Sequence, residues 1–172
     1  MGNRQNSQEK HVAEQQAILR QQLVDLVKGG NAHVDYKKAF EDFPAELRGK
    51  KPKGSPHTAW ELLEHMRIAQ SDILEYSRNA DHKSPDFPEG YWPANPEPPD
   101  PKAWDRTVNE FCEDLRAMCK LINDQASDLY APIPNGSGHT LLREALILAD
   151  HNSYHLGQLV LLRRMLGSWP EE

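Results

Sequence analysis

His151 and His155 stand four residues apart in a run, Leu141 to Leu166, that otherwise reads as an apolar helix. On a helix that spacing sets the two imidazoles about 40° apart around the axis and roughly 6 Å apart along it. Both rings can then reach one divalent ion from a single face. Gln158, three residues further on, stays on the same side, and Leu148, Leu159, Leu162 and Leu166 define that side as the inward one. Three readings fit: a solvated patch, a pair of core histidines satisfied by hydrogen bonds, or half of a metal site.

The metal reading needs another ligand from a facing helix, and spacing narrows the choice among eight histidines. His65 lies among Leu62, Met66 and Ala69, on the apolar side of a second long helical pattern. His57, expected at the start of the same helix, would be roughly 12 Å from it, too far to share a site. His139 falls about 18 Å before His151, while His11, His33 and His82 lie near element ends or in a loop. One trio remains: His65, His151 and His155. Position 152 is Asn, so the HExxH pattern of zinc proteases is absent. Glu61 and Glu64 do not supply the Glu-x-x-His pairs of a di-iron carboxylate site.

Three neutral imidazoles would leave a bound ion its full charge and at least one open position, as in catalytic sites. Such ligands suit Zn²⁺, Ni²⁺ or Fe²⁺ alike. The open position could take a low-molecular-weight thiol and favour its thiolate, or take water for hydrolysis. Gln158 either orients such a ligand or bonds a neighbouring helix. Glu61 either supports His65 or is solvated at the helix start, Asp150 points outward or makes an interhelical contact, and Tyr154 and Trp60 belong to core or interface. Cys112 and Cys119, about 10 Å apart on one helix, cannot pair and read as small hydrophobes.

The elements that must position these residues are legible from periodicity and punctuation. A first helix is expected from Ser7 to Lys28, with Val12, Leu19, Leu23 and Leu26 inward and Gly29-Gly30 as its stop. A short helix follows near 32–42, then a Gly/Lys/Pro loop. The second long helix spans about 57–79, started by Ser55-Pro56 or by a capping box at Thr58 and Glu61. Residues 80–100 are too proline-dense for helix or central strand. A link of that length is often functional, and Phe87, Tyr91 and Trp92 should pin it to the body. A third helix runs from Asp100-Pro101 to about Asp128, with Trp104, Val108, Phe111, Leu115, Met118 and Leu121 inward. After a Pro-Gly turn at 131–138, a fourth stops at Gly167. The expected fold is a single all-α domain: a four-helix bundle, core about 7–167, with short extra helices and long crossover connections.

A net charge of −6 and a pI near 5.7 argue against a general nucleic-acid binder. The basic run Arg48 to Lys53 reads as a solvated loop. No apolar run has the length of a membrane span, and the first residues lack the apolar centre of a secretory signal. A cytoplasmic protein acting on a small molecule is the expectation.

With these residues placed, the chain resembles the DinB/YfiT-like superfamily of metalloenzymes. Trp60-Glu-Leu-Leu-Glu-His65-Met-Arg-Ile-Ala-Gln70 is similar to the family's second-helix segment with its single ligand histidine. Asp150-His151-Asn-Ser-Tyr-His155-Leu-Gly157-Gln158 is similar to the HxxxHxxGQ signature of the fourth helix, with one residue, Leu156, between the second histidine and Gly-Gln. The resemblance implies a divalent metal held by His65, His151 and His155, commonly in homodimers. Characterised relatives include thiol-dependent S-transferases and a mycothiol-dependent maleylpyruvate isomerase. An enzyme activating a low-molecular-weight thiol for transfer to a small electrophile is therefore the leading expectation. A non-catalytic metal-binding bundle, serving as a stress-response or interaction module, and a metal-dependent hydrolase are the alternatives.

Overall fold

Four stretches of helical periodicity become four long helices: α1 (Gly2–Lys28), α3 (Ala59–Arg78), α4 (Ala103–Asn123) and α5 (Leu141–Met165). The short α2 (Tyr36–Phe40) and two 3₁₀ turns, Ala45–Leu47 and Glu89–Tyr91, lie in the links. The computed structural model describes residues 2–134 and 138–170, so the middle of the expected Pro-Gly turn lies outside the described residues. α3 packs along both α4 and α5, and α1 packs against the same two from the other side. The fold is an all-α bundle. Among the described residues no helix is long and apolar enough to cross a membrane.

Two of the expected boundaries move, for local reasons. α3 starts from Thr58: its hydroxyl accepts from the Glu61 N–H while Glu61 accepts from the Thr58 N–H at 2.7 Å, completing the capping box. The rival cap is spent on its own turn, because Ser55 Oγ donates to the His57 carbonyl at 2.6 Å. α4 ends at Asn123, not near Asp128, because Asp124 turns the chain and its carboxylate accepts from the Ala126 N–H.

α1 is rotated from its expected setting. Leu23, Val24 and Val27 are buried, whereas Val12 and Leu26 are about half exposed, at 49% and 47%. Arg20 explains the rotation: its guanidinium donates to the carbonyls of Ile122, Asp124 and Ser127 at the end of α4. A charged group meeting the unpaired carbonyls of a helix end outweighs the burial of one leucine.

Two apolar clusters fill the bundle. One gathers Phe40, Phe43, Trp60, Leu63, Trp104 and Phe111 with the C-terminal half of α5; the other joins α1 to the far ends of α3 and α4. Arg163 on α5 is buried at the edge of the first. It donates to the carbonyls of Lys38, Ala39, Asp42 and Ser168, with Phe43 and Trp169 against its guanidinium. A polar bridge crosses the interior: Asn152 Nδ2 donates to Gln70 Oε1 at 2.8 Å, and Gln70 Nε2 donates to the Phe111 carbonyl at 2.6 Å.

Thr58 also donates its hydroxyl to the Pro96 carbonyl at 2.7 Å, so one side chain starts α3 and pins the proline-rich link. Thr58→Ala is expected to lower stability by about 1–2 kcal/mol, read as a reduced urea midpoint at unchanged slope. An unchanged midpoint would show that neither bond contributes.

Candidate metal centre

The three sequence-selected histidines meet. His65 comes from α3, His151 and His155 from α5, and their ring nitrogens lie within 4.8 Å of one another. His65 Nε2 is 3.0 Å from His151 Nε2 and 3.1 Å from His155 Nε2. Nitrogens held by one tetrahedral ion at about 2.05 Å would be roughly 3.3 Å apart. The two pairs that include His65 therefore match the spacing of a metal-ligand set within a few tenths of an ångström.

Hydrogen bonds on the far side of two rings decide which nitrogen faces the centre. His65 Nδ1 donates to the Tyr91 carbonyl at 2.8 Å, and His155 Nδ1 donates to Gln158 Oε1 at 3.1 Å. An imidazole that gives its proton at Nδ1 keeps a lone pair at Nε2. Two Nε2 lone pairs therefore converge, with the third nitrogen beside them. Uncompensated, that is repulsive; around a cation it is a ligand set. Among the described residues the buried Nδ1 of His151 meets no hydrogen-bond partner.

The surroundings keep these rings neutral. Burial pushes all three histidines below their ordinary pKa, and for His155 the neighbouring His151 and His65 add to the effect, bringing it to about 4. Neutral imidazole is the form that ligates a metal. Among the described residues no carboxylate or thiol joins the cluster. Both cysteines are free, on α4, with their thiols pushed up by burial.

Among the described residues Gln158 hydrogen-bonds His155, on its own helix. Glu61 is used by the capping box and by Lys51 at 3.8 Å. Trp60 is buried, Asp150 is exposed, and Tyr154 is 65% exposed with its ring edge against His155. His57 differs from expectation: it precedes α3 and is brought back toward the centre. Its ring stacks on Trp92, whose indole in turn lies flat on His65. His57 and Gln158 also line a groove of about 180 Å³, whose other walls include Pro56, Leu62, Leu161 and Met165. The contributions of Tyr91, Trp92 and His57 were missed by helical spacing; the aromatic pair in a proline-rich link was their one sequence signal.

Residues 31–159 match the profile of the DinB superfamily. The chain belongs to the DinB superfamily. The matched span holds all three histidines and Gln158, and leaves α1 and the last turns of α5 outside it. No curated protein and no solved structure matches this DinB-superfamily chain. Family membership and the three-histidine cluster together fit a metal-binding protein.

The depressed pKa values carry a pH signature for the metal-free DinB-superfamily protein. Between pH 6.5 and about 4 the unfolded chain takes up protons that His155 refuses while folded. Proton uptake by the unfolded state favours unfolding, so stability is fully present above pH 6.5 and is lost as pH falls toward 4. With chelator present, the urea midpoint is expected to drop across that window, and less steeply in His155→Ala. Equal slopes for the two proteins would contradict the assignment.

Proposed function

We propose that this chain is a divalent-metal-dependent enzyme that activates a low-molecular-weight thiol for transfer to a small electrophile. The observation that carries the reading is the set of three neutral imidazoles with no anionic ligand among the described residues. A divalent ion bound there would keep its full charge and an open position, and so favour the thiolate form of an incoming thiol. Zn²⁺, Ni²⁺ and Fe²⁺ all suit imidazole donors.

The chain's own residues supply positioning. Tyr91 and Gln158 fix two of the rings in the tautomer that presents Nε2. The groove beside them is mostly apolar, with His57, Ser55 and Gln158 as its polar edge. Such a lining suits the body of a small organic electrophile with one polar reacting end. In the transfer the S–H bond releases its proton to solvent and a carbon–sulfur bond forms. The electron pair displaced at the electrophile departs with a leaving group or takes up a proton.

The test is a panel of cysteine-derived thiols against alkylating and Michael-type electrophiles, with and without metal, followed by mass spectrometry of the conjugates. Metal-dependent conjugate formation above the uncatalysed rate is expected. Metal bound with no conjugate from any pair would overturn thiol transfer and favour a non-catalytic metal-binding module. A cytoplasmic homodimer completes this reading, and sedimentation at micromolar concentration checks its oligomeric part.

A further inference from the structure

His65 is the one histidine of the trio that α5 does not supply, so its ring must be aimed independently of the other two. The proline-rich link between α3 and α4 does this from two directions. The Tyr91 carbonyl takes the Nδ1 proton at 2.8 Å, which sets the tautomer and the in-plane direction of the ring. The Trp92 indole lies against the ring face at 4.0 Å between centroids and 4° between planes. His57 stacks on the same indole at 4.1 Å and 13°, so Trp92 lies between the two imidazoles.

The link is itself tied down on both sides of Trp92. Upstream, Tyr91 Oη donates to Asp72 Oδ2 at 2.6 Å, and His82 Nε2 meets Asp72 Oδ1 at 2.7 Å. Asp72 stands two turns along α3 from His65, so the helix that carries the ligand also anchors its clamp. Downstream, Thr58 Oγ1 holds the Pro96 carbonyl at 2.7 Å. A loop that only covered the bundle end would not need a parallel stack on one ring and a hydrogen bond to the same ring's edge.

The geometry points to Trp92 as a positioning residue of the metal centre: with the Tyr91 carbonyl it holds His65 Nε2 toward His151 and His155. This inference rests on the metal reading given above. It assigns to residues 91 and 92 of the link a share of the centre's affinity that no ligand pattern contains. Partners that orient a ligand typically contribute 10- to 100-fold in metal affinity.

Co²⁺ is the probe, titrated into the full-length, tag-free protein in competition with a chelator, with its visible absorption recorded. Trp92→Ala is expected to bind about 10- to 100-fold more weakly, with an altered Co²⁺ spectrum. Trp92→Phe keeps a flat face and is expected to recover most of the affinity and the wild-type spectrum. Trp92→Leu fills space without a flat face and should behave like alanine, and it decides the matter if the alanine variant does not fold. Wild-type affinity and spectrum in the leucine variant would overturn the positioning role while leaving the metal reading standing. A wild-type protein that takes up no Co²⁺ would overturn both.

Discussion

His155→Ala is expected to leave the protein without retained metal, where tag-free wild type carries close to one equivalent. The ring supplies one of three nitrogens, and among the described residues no carboxylate or thiol of the cluster stands in reserve. Loss of one ligand from three should cost on the order of 3 kcal/mol or more, at least a hundredfold in affinity. Elemental analysis after dialysis reads this directly. Thermal unfolding reads it independently: Zn²⁺ at about a thousand times its Kd should stabilise wild type by about 4 kcal/mol. For a chain of this size that is a rise in Tm of roughly 8–16 °C, which the variant should lack. The metal-free comparison separates this reading from a pair of satisfied core histidines. His155 Nε2 faces another nitrogen at 3.1 Å, not a donor, so its removal relieves crowding and the metal-free variant should lose little stability. A metal-free wild type, together with a large destabilisation of His155→Ala, would make these rings structural.

Arg163→Leu is expected to be the most damaging single change to the fold. The guanidinium is buried, and its donors meet four carbonyls from the α2 segment and the chain after α5. Leucine, which is shorter and has no donor, leaves those carbonyls without their partner, and each buried unsatisfied group costs about 1–3 kcal/mol. Some carbonyls will find water, so a total of about 3–5 kcal/mol is expected. That corresponds to a Tm lower by roughly 6–20 °C. Retained metal binding at low temperature should accompany it, since the arginine lies two turns beyond His155. A Tm within 2 °C of wild type, inside the shift about 1 kcal/mol would give, would show that the pocket hydrates freely when the arginine is gone.

The bundle and its histidine cluster were legible because both are periodic. His151 and His155 share a helix face by arithmetic, and His65 was selected by the apolar residues around it on a different helix. What lay outside periodicity was misread or missed. Ser55-Pro56 and Thr58-Glu61 offered competing starts for α3, and only the finished hydrogen bonds show that the box prevails, which moves His57 off the helix and back toward the centre. Arg163 was not singled out by the sequence, because its burial depends on carbonyls more than 120 residues away. The rotation of α1 depends likewise on where α4 ends. Tyr91 and Trp92 carried no spacing signal, because a loop residue is placed by its anchors and not by a repeat.

The bond from Asn152 to Gln70 has a consequence for how the two halves of the centre stay in line. Asn152 is the neighbour of His151, and Gln70 is five residues beyond His65. Leucines along α3 and α5 would tolerate a slip of one helix past the other, since apolar contacts are non-directional. The buried amide pair does not tolerate it, because any displaced setting strands two polar groups in the interior. It works as a key in a keyway: it adds little holding force but permits one axial setting, the one in which nitrogens from two helices come within about 3 Å. Holding strength and alignment are thus assigned to different residues. The leucines can drift in evolution, so long as their volume is kept, without disturbing the centre. An apolar replacement of the amide pair would leave the Phe111 carbonyl without the Gln70 donor and the register of His65 against His151 and His155 to non-directional packing alone.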